Sequence, residues 1–254
     1  MTLDSFRLDG RVALVTGGNR GLGAACALAL AEAGADIALL GRTDPAETTR
    51  AIVELGRRVS YVPCDLGKAG PADLAAAVGT ARDELGRLDI LVNNAGIIRR
   101  APAAEVTAAD WDDVRVVNVD AVFHLSQAAG RIMIDQGSGK IINIASMLSF
   151  QGGIRVPAYT AGKHAVIGIT RALANEWAGL GVNINAIAPG YMATDNTAAL
   201  RDDPARAGAI LDRIPAGRWG TPGDLGGAVV FLASDASRYV HAAVLPVDGG
   251  WLAR

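Results

Sequence analysis

The sequence predicts a doubly wound α/β fold, and three observations lead to that prediction. Short apolar runs alternate with helix-like stretches along all 254 residues. The apolar runs are continuous, which is typical of strands buried on both faces of a parallel sheet. Half of the residues are hydrophobic and a fifth are charged, so the chain can bury a large core. Because no linker, repeat or low-complexity stretch interrupts this alternation, we expect a single domain.

The first half of the chain predicts four strands and the helices between them. The run RVALVTGG (11–18) is short, partly β-branched and ends in glycines, so it predicts a buried strand. The Ala- and Leu-rich stretch that follows (21–35) predicts a helix. DIALLG, RVSYVPCDL and LDILVNNAG predict the next three strands. The helices between them, 45–56 and 71–86, each open with a proline, which is favoured at the first helical position.

The second half of the chain continues the same pattern. KIINIAS, VNINAIAPG and AAVLPVDGG predict three more strands, which makes seven. Helical stretches are expected at 103–136, 157–179, 193–213 and 222–233. Since crossovers between parallel strands are right-handed, the helices are expected on both faces of one seven-stranded parallel sheet.

Charge, cysteine content and hydropathy argue against several classes of protein. The formal net charge is −2 and no long basic stretch occurs, so nucleic-acid binding has no electrostatic support. Cys26 and Cys64 lie far apart and outside any Cys-x-x-Cys pair, and no metal site is expected. No apolar run reaches the roughly 18 residues of a membrane span, and the N-terminal stretch MTLDSFRLDG lacks the pattern of a signal peptide. We therefore expect a cytoplasmic protein with no membrane or nucleic-acid partner.

A glycine-rich turn joins the first strand to the first helix. It reads TGGNRGLG, with glycines at 17, 21 and 23. Glycines permit close approach of the backbone, and a helix N-terminus presents free N–H groups to a pyrophosphate. A P-loop is excluded because no Gly-Lys-Ser/Thr ends the turn. The turn predicts a Rossmann-type dinucleotide site lined by Gly17, Asn19, Arg20, Gly21, Leu22 and Gly23.

The end of the second strand bears on which nicotinamide cofactor is used. Gly41 stands where an acid would hold the ribose 2′-hydroxyl of NAD, and Arg42 follows it. Together with Arg20, Arg42 could chelate a 2′-phosphate, because guanidinium groups match phosphate geometry. The sequence thus favours NADP(H), whereas Asp44 nearby keeps NAD(H) open.

Two further loops follow strands at the same edge of the predicted sheet. In CDL, Asp65 could accept a hydrogen bond from the adenine amino group, or could serve only as a turn aspartate. In NNAG (93–96), small residues could pass under the ribose; we expect Asn93 to contact the ligand and Asn94 to be mainly structural. The expected cofactor contacts here are Asp65, Leu66, Asn93, Ala95 and Gly96.

The candidate reacting centre combines Ser146, at the end of the fifth strand, with Tyr159 and Lys163. Positions i and i+4 share one face of a helix, so the phenol and the ammonium should be neighbours. An ammonium at about 4 Å, with an effective dielectric constant of about 20, would favour the phenolate by about 4 kcal/mol, or roughly 3 pKa units. That change would move the tyrosine toward the working pH of a general acid or base.

These motifs resemble, in their order and spacing, those of the short-chain dehydrogenase/reductase family. The matching stretches are Thr16–Gly23, Asn93–Gly96, Asn118, Ser146, Tyr159-x-x-x-Lys163 and Pro189-Gly190. The resemblance implies a nicotinamide-dependent oxidoreductase acting on a CH–OH group, assembled as a homotetramer. It implies that Lys163 holds the nicotinamide ribose, that Ser146 binds the substrate oxygen, and that Asn118 fixes a water. It further implies that Pro189, Gly190 and Thr194 border the nicotinamide, and that residues 191–217 form a lid over the substrate.

Arginines near the predicted centre suggest an anionic substrate. Arg99 and Arg100 follow the ribose loop, and Arg155 lies four residues before Tyr159. An arginine so close to a hydride site is costly unless an anion matches it, and a carboxylate does so with two hydrogen bonds. The alternative is that these arginines face water or a neighbouring subunit. The polar lid, with Asp195 and Asn196, argues against a large steroid.

Longer stretches resemble one group within the family, which acts on 2-deoxy-D-gluconate at C3 or on 2-dehydro-3-deoxy-D-gluconate at C5. They are GKIINIASMLSFQGGIRVPAYTAGK, NAIAPGYMATDNT, RIPAGRWG and VDGGWLAR. The resemblance implies a six-carbon sugar acid as substrate, whereas Gly41-Arg42 departs from the frequent use of NAD in that group. The expected substrate contacts are Ser146, Arg99, Arg155, Tyr159 and Tyr191.

Two rival functions remain open at this point. An NADPH-dependent 3-oxoacyl carrier-protein reductase would share the scaffold, but would need a basic docking surface that the mildly acidic composition does not favour. A non-catalytic nucleotide-binding regulatory module would be expected to lack Ser146, Tyr159 or Lys163, and all three are present.

Overall fold

The structure, a computed structural model, describes residues 1–254 and is built on one sheet of seven parallel strands. The strands are β1 (Val12–Thr16), β2 (Asp36–Gly41), β3 (Val59–Pro63), β4 (Ile90–Asn93), β5 (Gly139–Ile144), β6 (Val182–Pro189) and β7 (Val244–Val247). Their order across the sheet is β3-β2-β1-β4-β5-β6-β7. The predicted Rossmann-type sheet is therefore confirmed.

Helices cover both faces of the sheet. They are α1 (Gly21–Glu32), α2 (Ala46–Glu54), α3 (Pro71–Leu85), α4 (Ala108–Arg115), α5 (Ala121–Gln136), α6 (Pro157–Trp177), α7 (Ala198–Arg201), α8 (Pro204–Leu211) and α9 (Gly226–Ala233). Successive residues of a strand point to opposite faces. Leu14 accordingly packs in the core that contains α3 and α5, while Val15 packs in the core that contains α1 and α9. Burial on both faces explains the continuous apolar runs of the sequence.

The stretch predicted as one helix over 103–136 is interrupted. A π-helical turn, Val116–Asp120, separates α4 from α5 and contains Asn118, which is fully buried. The Asn118 side chain binds both main-chain polar groups of Ile97. Its Oδ1 accepts from Ile97 N at 2.9 Å, and its Nδ2 donates to Ile97 O at 3.0 Å. Such single π turns occur often at functional sites. The interruption fixes the loop after β4 against the helix layer.

The stretch predicted as helical over 193–213 also differs from one regular helix. It contains a 3-10 turn (Asp195–Thr197) and the short helices α7 and α8. The break falls where Asp203 caps α8, its Oδ1 accepting from Ala205 N at 3.1 Å and Arg206 N at 3.2 Å. An aspartate followed by proline is a strong helix start, so the chain begins a new helix there.

The strand β1 has β2 on one side and β4 on the other, so the order of the strands reverses its direction at β1. Ligands of open α/β sheets bind outside the carboxyl ends of the strands at such a switch point. The loops that follow β1, β4, β5 and β6 carry most of the residues predicted to be functional. None of the helices is both long enough and apolar enough to cross a membrane.

Candidate active site

The glycine turn after β1 is packed so closely that no side chain can replace Gly23. A Cβ on Gly23 would lie 2.2 Å from Gly17 O and 2.4 Å from Asn94 Nδ2. Asn94 Nδ2 donates to Thr16 O at 2.9 Å, which supports the structural role predicted for Asn94. Thr16 Oγ1 accepts from the main-chain N–H groups of Asn94 (3.0 Å) and Ala95 (2.9 Å). The loops after β1 and β4 therefore form one rigid rim.

A dinucleotide fits the features of this rim. Gly21 adopts a φ of 57°, in the left-handed region that favours glycine, and begins the 12-residue helix α1. Arg20, the N-cap residue, makes no side-chain cap, so the first N–H groups of α1 are not capped by that side chain. Free N–H groups at a helix N-terminus suit a pyrophosphate. A cleft beside the turn is lined by Gly18, Asn19, Leu39, Leu40, Gly41, Thr43, Pro45 and Tyr61.

The residues predicted at the adenosine end are only partly available for a ligand. Arg42 is exposed and has no carboxylate within 4.0 Å, so it is free to meet a phosphate. Arg20 instead pairs with Asp195 at 2.9 Å. Asp65 Oδ1 accepts from Gly67 N at 3.1 Å and so closes a turn, while Leu66 is buried. A hydrogen bond from Asp65 to adenine stays a prediction.

The side chain of Asn93 lies inside the protein, and the contact predicted between Asn93 and the ligand stays a prediction. Asn93 Nδ2 donates to Ser126 Oγ and to Asn143 Oδ1, each at 2.9 Å, and the residue is 3% exposed. Asn143 Nδ2 in turn donates to Thr170 Oγ1 at 2.9 Å. Because buried polar groups need partners, this network joins β4 and β5 to α5 and α6. The Asn93 side chain thus stabilises the strands that end at the site.

The structure brings Ser146, Tyr159 and Lys163 together. Ser146 follows β5 and caps a 3-10 turn, its Oγ accepting from Leu148 N at 3.1 Å. Tyr159 and Lys163 lie on one face of the first turns of α6, which Pro157 opens. Lys163 Nζ is 5.6 Å from the centroid of the Tyr159 ring. Tyr159 is half-buried and Lys163 is 5% exposed.

Charge states at this centre differ from the sequence-based expectation. Burial raises the pKa of Tyr159, and the neighbouring Ser146 hydroxyl and the positive charge of Arg100 oppose that rise. Burial lowers the pKa of Lys163 to about 8. Lys163 Nζ donates to Ile144 O at 2.5 Å. Burial therefore outweighs the lowering of the Tyr159 pKa that the sequence predicted.

The two adjacent arginines after β4 face different surroundings. Arg99 Nη2 lies 3.0 Å from Asp113 Oδ2 and its Nε lies 3.5 Å from Asp110 Oδ1. This pairing with α4 satisfies the guanidinium, and the substrate contact predicted for Arg99 stays a prediction. Arg100 Nη2 donates to Asn196 O at 3.2 Å, in the segment predicted to be the lid. The sequence could not choose between them, because an irregular loop has no period that assigns a face.

Arg155 adopts an unusual backbone conformation just before α6. Its φ of 64° lies in the left-handed region, which residues other than glycine rarely adopt. Its carbonyl accepts from Ala101 N at 3.1 Å, which joins this loop to the one that carries Arg100. The side chain is exposed and pairs with no carboxylate within 4.0 Å. A substrate contact by Arg155 stays a prediction.

Tyr191, the first residue of the candidate lid, packs against Trp219 and against Trp251 of the C-terminal segment. Its ring lies 5.3 Å from the Trp219 ring and 4.8 Å from the Trp251 ring. Burial raises the pKa of Tyr191, opposed by the charges of Arg206 and Arg213. A cavity of about 160 Å³ lies beside this cluster, lined by Tyr191, Met192, Ala216, Arg218, Gly220, Asp224, Val247, Asp248 and Gly249. The substrate role of Tyr191 stays a prediction.

Pro189 and Gly190 stand at the end of β6, where the nicotinamide was predicted to lie. A Cβ on Gly190 would be 2.6 Å from Asp248 Cα, so only glycine fits between the ends of β6 and β7. Thr194 opens the 3-10 turn of the lid, and its N–H donates to Thr197 Oγ1 at 3.2 Å. Their contacts with a cofactor stay predictions that this placement supports.

Comparison with known proteins shows similarity along the whole chain. A family profile described as enoyl-(acyl carrier protein) reductase matches residues 17–252. A 2-dehydro-3-deoxy-D-gluconate 5-dehydrogenase of Escherichia coli K12 is 57% identical over 257 residues, covering 100% of both chains.

Two solved structures extend this similarity to the fold. A candidate 2-deoxy-d-gluconate 3-dehydrogenase of Agrobacterium tumefaciens with bound NADP is 55% identical, with a TM-score of 0.92 over 98% of this chain and 99% of the other. A gluconate 5-dehydrogenase of Burkholderia cenocepacia J2315 in complex with NADP and tartrate is 42% identical, with a TM-score of 0.95 over 100% of both chains.

Proposed function

Because the chain belongs to the short-chain dehydrogenase/reductase family, we propose that it is an NADP-dependent dehydrogenase of a six-carbon sugar acid, of the 2-dehydro-3-deoxy-D-gluconate 5-dehydrogenase type. The observation that carries the proposal is the convergence of Ser146, Tyr159 and Lys163 beside Arg100, a guanidinium without a carboxylate partner. The relatives' names and bound NADP support the substrate and cofactor. NAD(H) remains an alternative cofactor.

The proposed chemistry assigns one task to each side chain of the centre. When bound, NADP⁺ accepts the hydride that leaves the alcohol carbon. Tyr159 takes the proton of the substrate hydroxyl during oxidation and returns it to the oxygen during reduction. Ser146 holds that oxygen by a hydrogen bond, and Lys163 holds the nicotinamide ribose. Since the Asn118 amide is occupied by Ile97, we assign its predicted contact with water to the main chain of the π turn.

Unpaired positive charge supports an anionic substrate. Arg100, Arg155, Arg206 and Arg213 have no carboxylate within 4.0 Å, in contrast with Arg99 and Arg218, which are paired. The charges of Arg206 and Arg213 act to lower the pKa of Tyr191, and the charge of Arg100 acts to lower the pKa of Tyr159. Like charges gathered around an opening attract an anion and raise its association rate. A sugar carboxylate would neutralise part of this charge.

Assembly, location and the lid are further parts of the proposal. We place the substrate lid at 191–217 of a single domain, supported by its two short helices and by the Arg218–Asp224 ion pair just beyond it.

A homotetramer is supported by the exposed apolar side chains of Trp111 and Leu180, and the molar mass of the protein in light scattering would test it. Two unpaired cysteines are consistent with a cytoplasmic location.

A steady-state screen tests the function. 2-Dehydro-3-deoxy-D-gluconate, 2-deoxy-D-gluconate and D-gluconate would each be assayed with NADP⁺ and NAD⁺, beside neutral alditols of equal length. We expect kcat/KM at least about tenfold higher for an acid than for its alditol, because a desolvated guanidinium then finds its carboxylate. Preference for an acetoacetyl thioester, assayed with NADPH, would reject the sugar acid in favour of the carrier-protein reductase. Failure to oxidise or reduce any of these compounds would favour the non-catalytic module.

Replacing Arg100 by methionine is expected to raise KM for the sugar acid about tenfold or more, since a charge-assisted hydrogen bond contributes roughly 1.5–3 kcal/mol. Loss of the positive charge near Tyr159 should also move the acidic limb of the pH–rate profile for oxidation to higher pH, because that charge favours the phenolate. Initial rates from pH 6 to 10 measure both effects. The matched control is Arg99→Met, whose guanidinium pairs with Asp110 and Asp113. Equal effects of the two substitutions would contradict the assignment.

A further inference from the structure

An ion pair links the glycine turn to the candidate lid. Arg20 Nη1 lies 2.9 Å from Asp195 Oδ2, and the two side chains are 70% and 74% exposed. The Thr194 side chain also lies near the turn, since a Cβ on Gly21 would lie 3.9 Å from Thr194 Cγ2. The first turn of the lid is therefore held against the turn where a dinucleotide would bind.

The direction of this ion pair matters because of the strand order. Arg20 follows β1, and Asp195 follows β6, which lies on the β4 side of β1. Arg42, the other arginine expected to hold a 2′-phosphate, follows β2 on the opposite side of β1. Paired with Asp195, the Arg20 guanidinium points away from the side of the sheet where Arg42 lies. A phosphate held jointly by Arg20 and Arg42 would therefore compete with Asp195 for the Arg20 guanidinium.

We propose that Asp195 is a specificity-determining residue for the cofactor, because it competes with the 2′-phosphate of NADP(H) for Arg20. The inference rests on the cofactor site of the proposed function and is independent of the sugar acid. NAD(H) has a hydroxyl in place of that phosphate, so it leaves the Arg20–Asp195 pair intact. NADP(H) draws Arg20 toward Arg42 and releases the first turn of the lid. Asp195 thus lowers the affinity for NADP(H) relative to that for NAD(H). The ion pair that holds the lid then depends on which cofactor is bound.

Asp195→Asn is expected to tighten NADPH binding about threefold and to leave NADH binding within about 1.5-fold, a size set by the modest strength of exposed ion pairs. Isothermal titration calorimetry of the full-length protein with each cofactor, at low salt, measures both dissociation constants without substrate. Repeating the titration at 0.5 M NaCl should reduce the gain, since salt screens exposed charges. The matched control is Asp202→Asn, which removes an exposed lid carboxylate that pairs with no arginine within 4.0 Å; its NADPH-to-NADH ratio should stay unchanged.

The double variant Arg20→Gln/Asp195→Asn separates competition from a general loss of negative charge. In the Arg20→Gln background, removing Asp195 should no longer improve NADPH binding, because the residue for which it competes is gone. An equal gain for both cofactors in Asp195→Asn, or a gain that persists without Arg20, would overturn the inference and leave the proposed function intact. Failure of the unaltered protein to bind either cofactor would overturn both.

Discussion

Tyr159→Phe is expected to lower kcat by at least about 100-fold, while the dissociation constant for NADPH stays within about twofold. The substitution removes one oxygen and keeps the ring that Lys163 Nζ faces at 5.6 Å. Without the phenol oxygen, the substrate hydroxyl has no general base during oxidation and the forming alkoxide has no general acid during reduction. Initial rates in both directions, together with a titration of NADPH, separate loss of chemistry from loss of binding.

The matched control for that experiment is Tyr239→Phe, which removes the same oxygen from a residue that is 96% exposed. The Tyr239 variant should keep full activity. If Tyr159→Phe retained near-normal turnover in both directions, Tyr159 would not be the proton-transfer residue, and the proposed mechanism would fail with it.

Continuous apolar runs allowed the seven strands and their parallel arrangement to be predicted, because strands buried on both faces of a sheet are apolar at successive positions. The order of the strands across the sheet was not predicted. The interruption of the helix at Asn118 could not be predicted in this way. Its cause is a long-range pair of hydrogen bonds between the Asn118 amide and the Ile97 main chain, 21 residues away. The helical periodicity of the sequence shows which face of a helix is apolar. It does not show where a π turn inserts one extra residue.

The candidate site shows a similar division between what spacing determines and what packing determines. The i, i+4 spacing correctly predicted that Tyr159 and Lys163 share a face of α6. The roles of Asn93 and Arg99 depended on partners from other elements, namely Ser126, Asn143 and the acids of α4. The direction of the Tyr159 pKa likewise depended on burial, which spacing alone does not reveal. Residue type and order identified the candidate centre; the three-dimensional neighbours determine its charges.

Burial of Lys163 costs stability, and that cost is the basis of the second large prediction. The pKa of Lys163 is lowered from 10.5 to about 8 by burial, so the charged amine is disfavoured in the folded protein by about 3 kcal/mol at neutral pH. Replacement by methionine removes the charge and keeps an unbranched chain of similar length. The hydrogen bond from Nζ to Ile144 O, 2.5 Å long, is lost at the same time and offsets about 1–2 kcal/mol of the gain.

Lys163→Met is therefore expected to raise the free energy of unfolding of the cofactor-free protein by about 1–2 kcal/mol at pH 7 and to raise Tm by about 2–4 °C per kcal/mol. Activity should fall at least about 100-fold, because the site loses the group that we propose to hold the nicotinamide ribose. Calorimetry without cofactor and initial rates with cofactor measure the two effects. A stabilised but inactive variant would show that the lysine is present for function.

The direction in which the unfolding free energy changes with pH follows from the number of protons that Lys163 binds in the folded and unfolded states. Between pH 8 and 10.5 the unfolded chain keeps a proton on Lys163 that the folded chain has released, so the unfolding free energy of the natural protein rises with pH in that window. The advantage of the methionine variant should be full below pH 8 and should shrink as pH rises toward 10.5.

Lys140→Met is the matched control, because burial also lowers the pKa of Lys140 to about 8. Lys140 lies near the other end of β5, where Nζ donates to Asn183 Oδ1 at 3.0 Å. This variant should leave kcat unchanged. A Lys163 variant that lost stability at pH 7 would show that the buried amine stabilises the fold. A Lys163 variant that kept the activity of the Lys140 control would show that the amine has no task in hydride transfer.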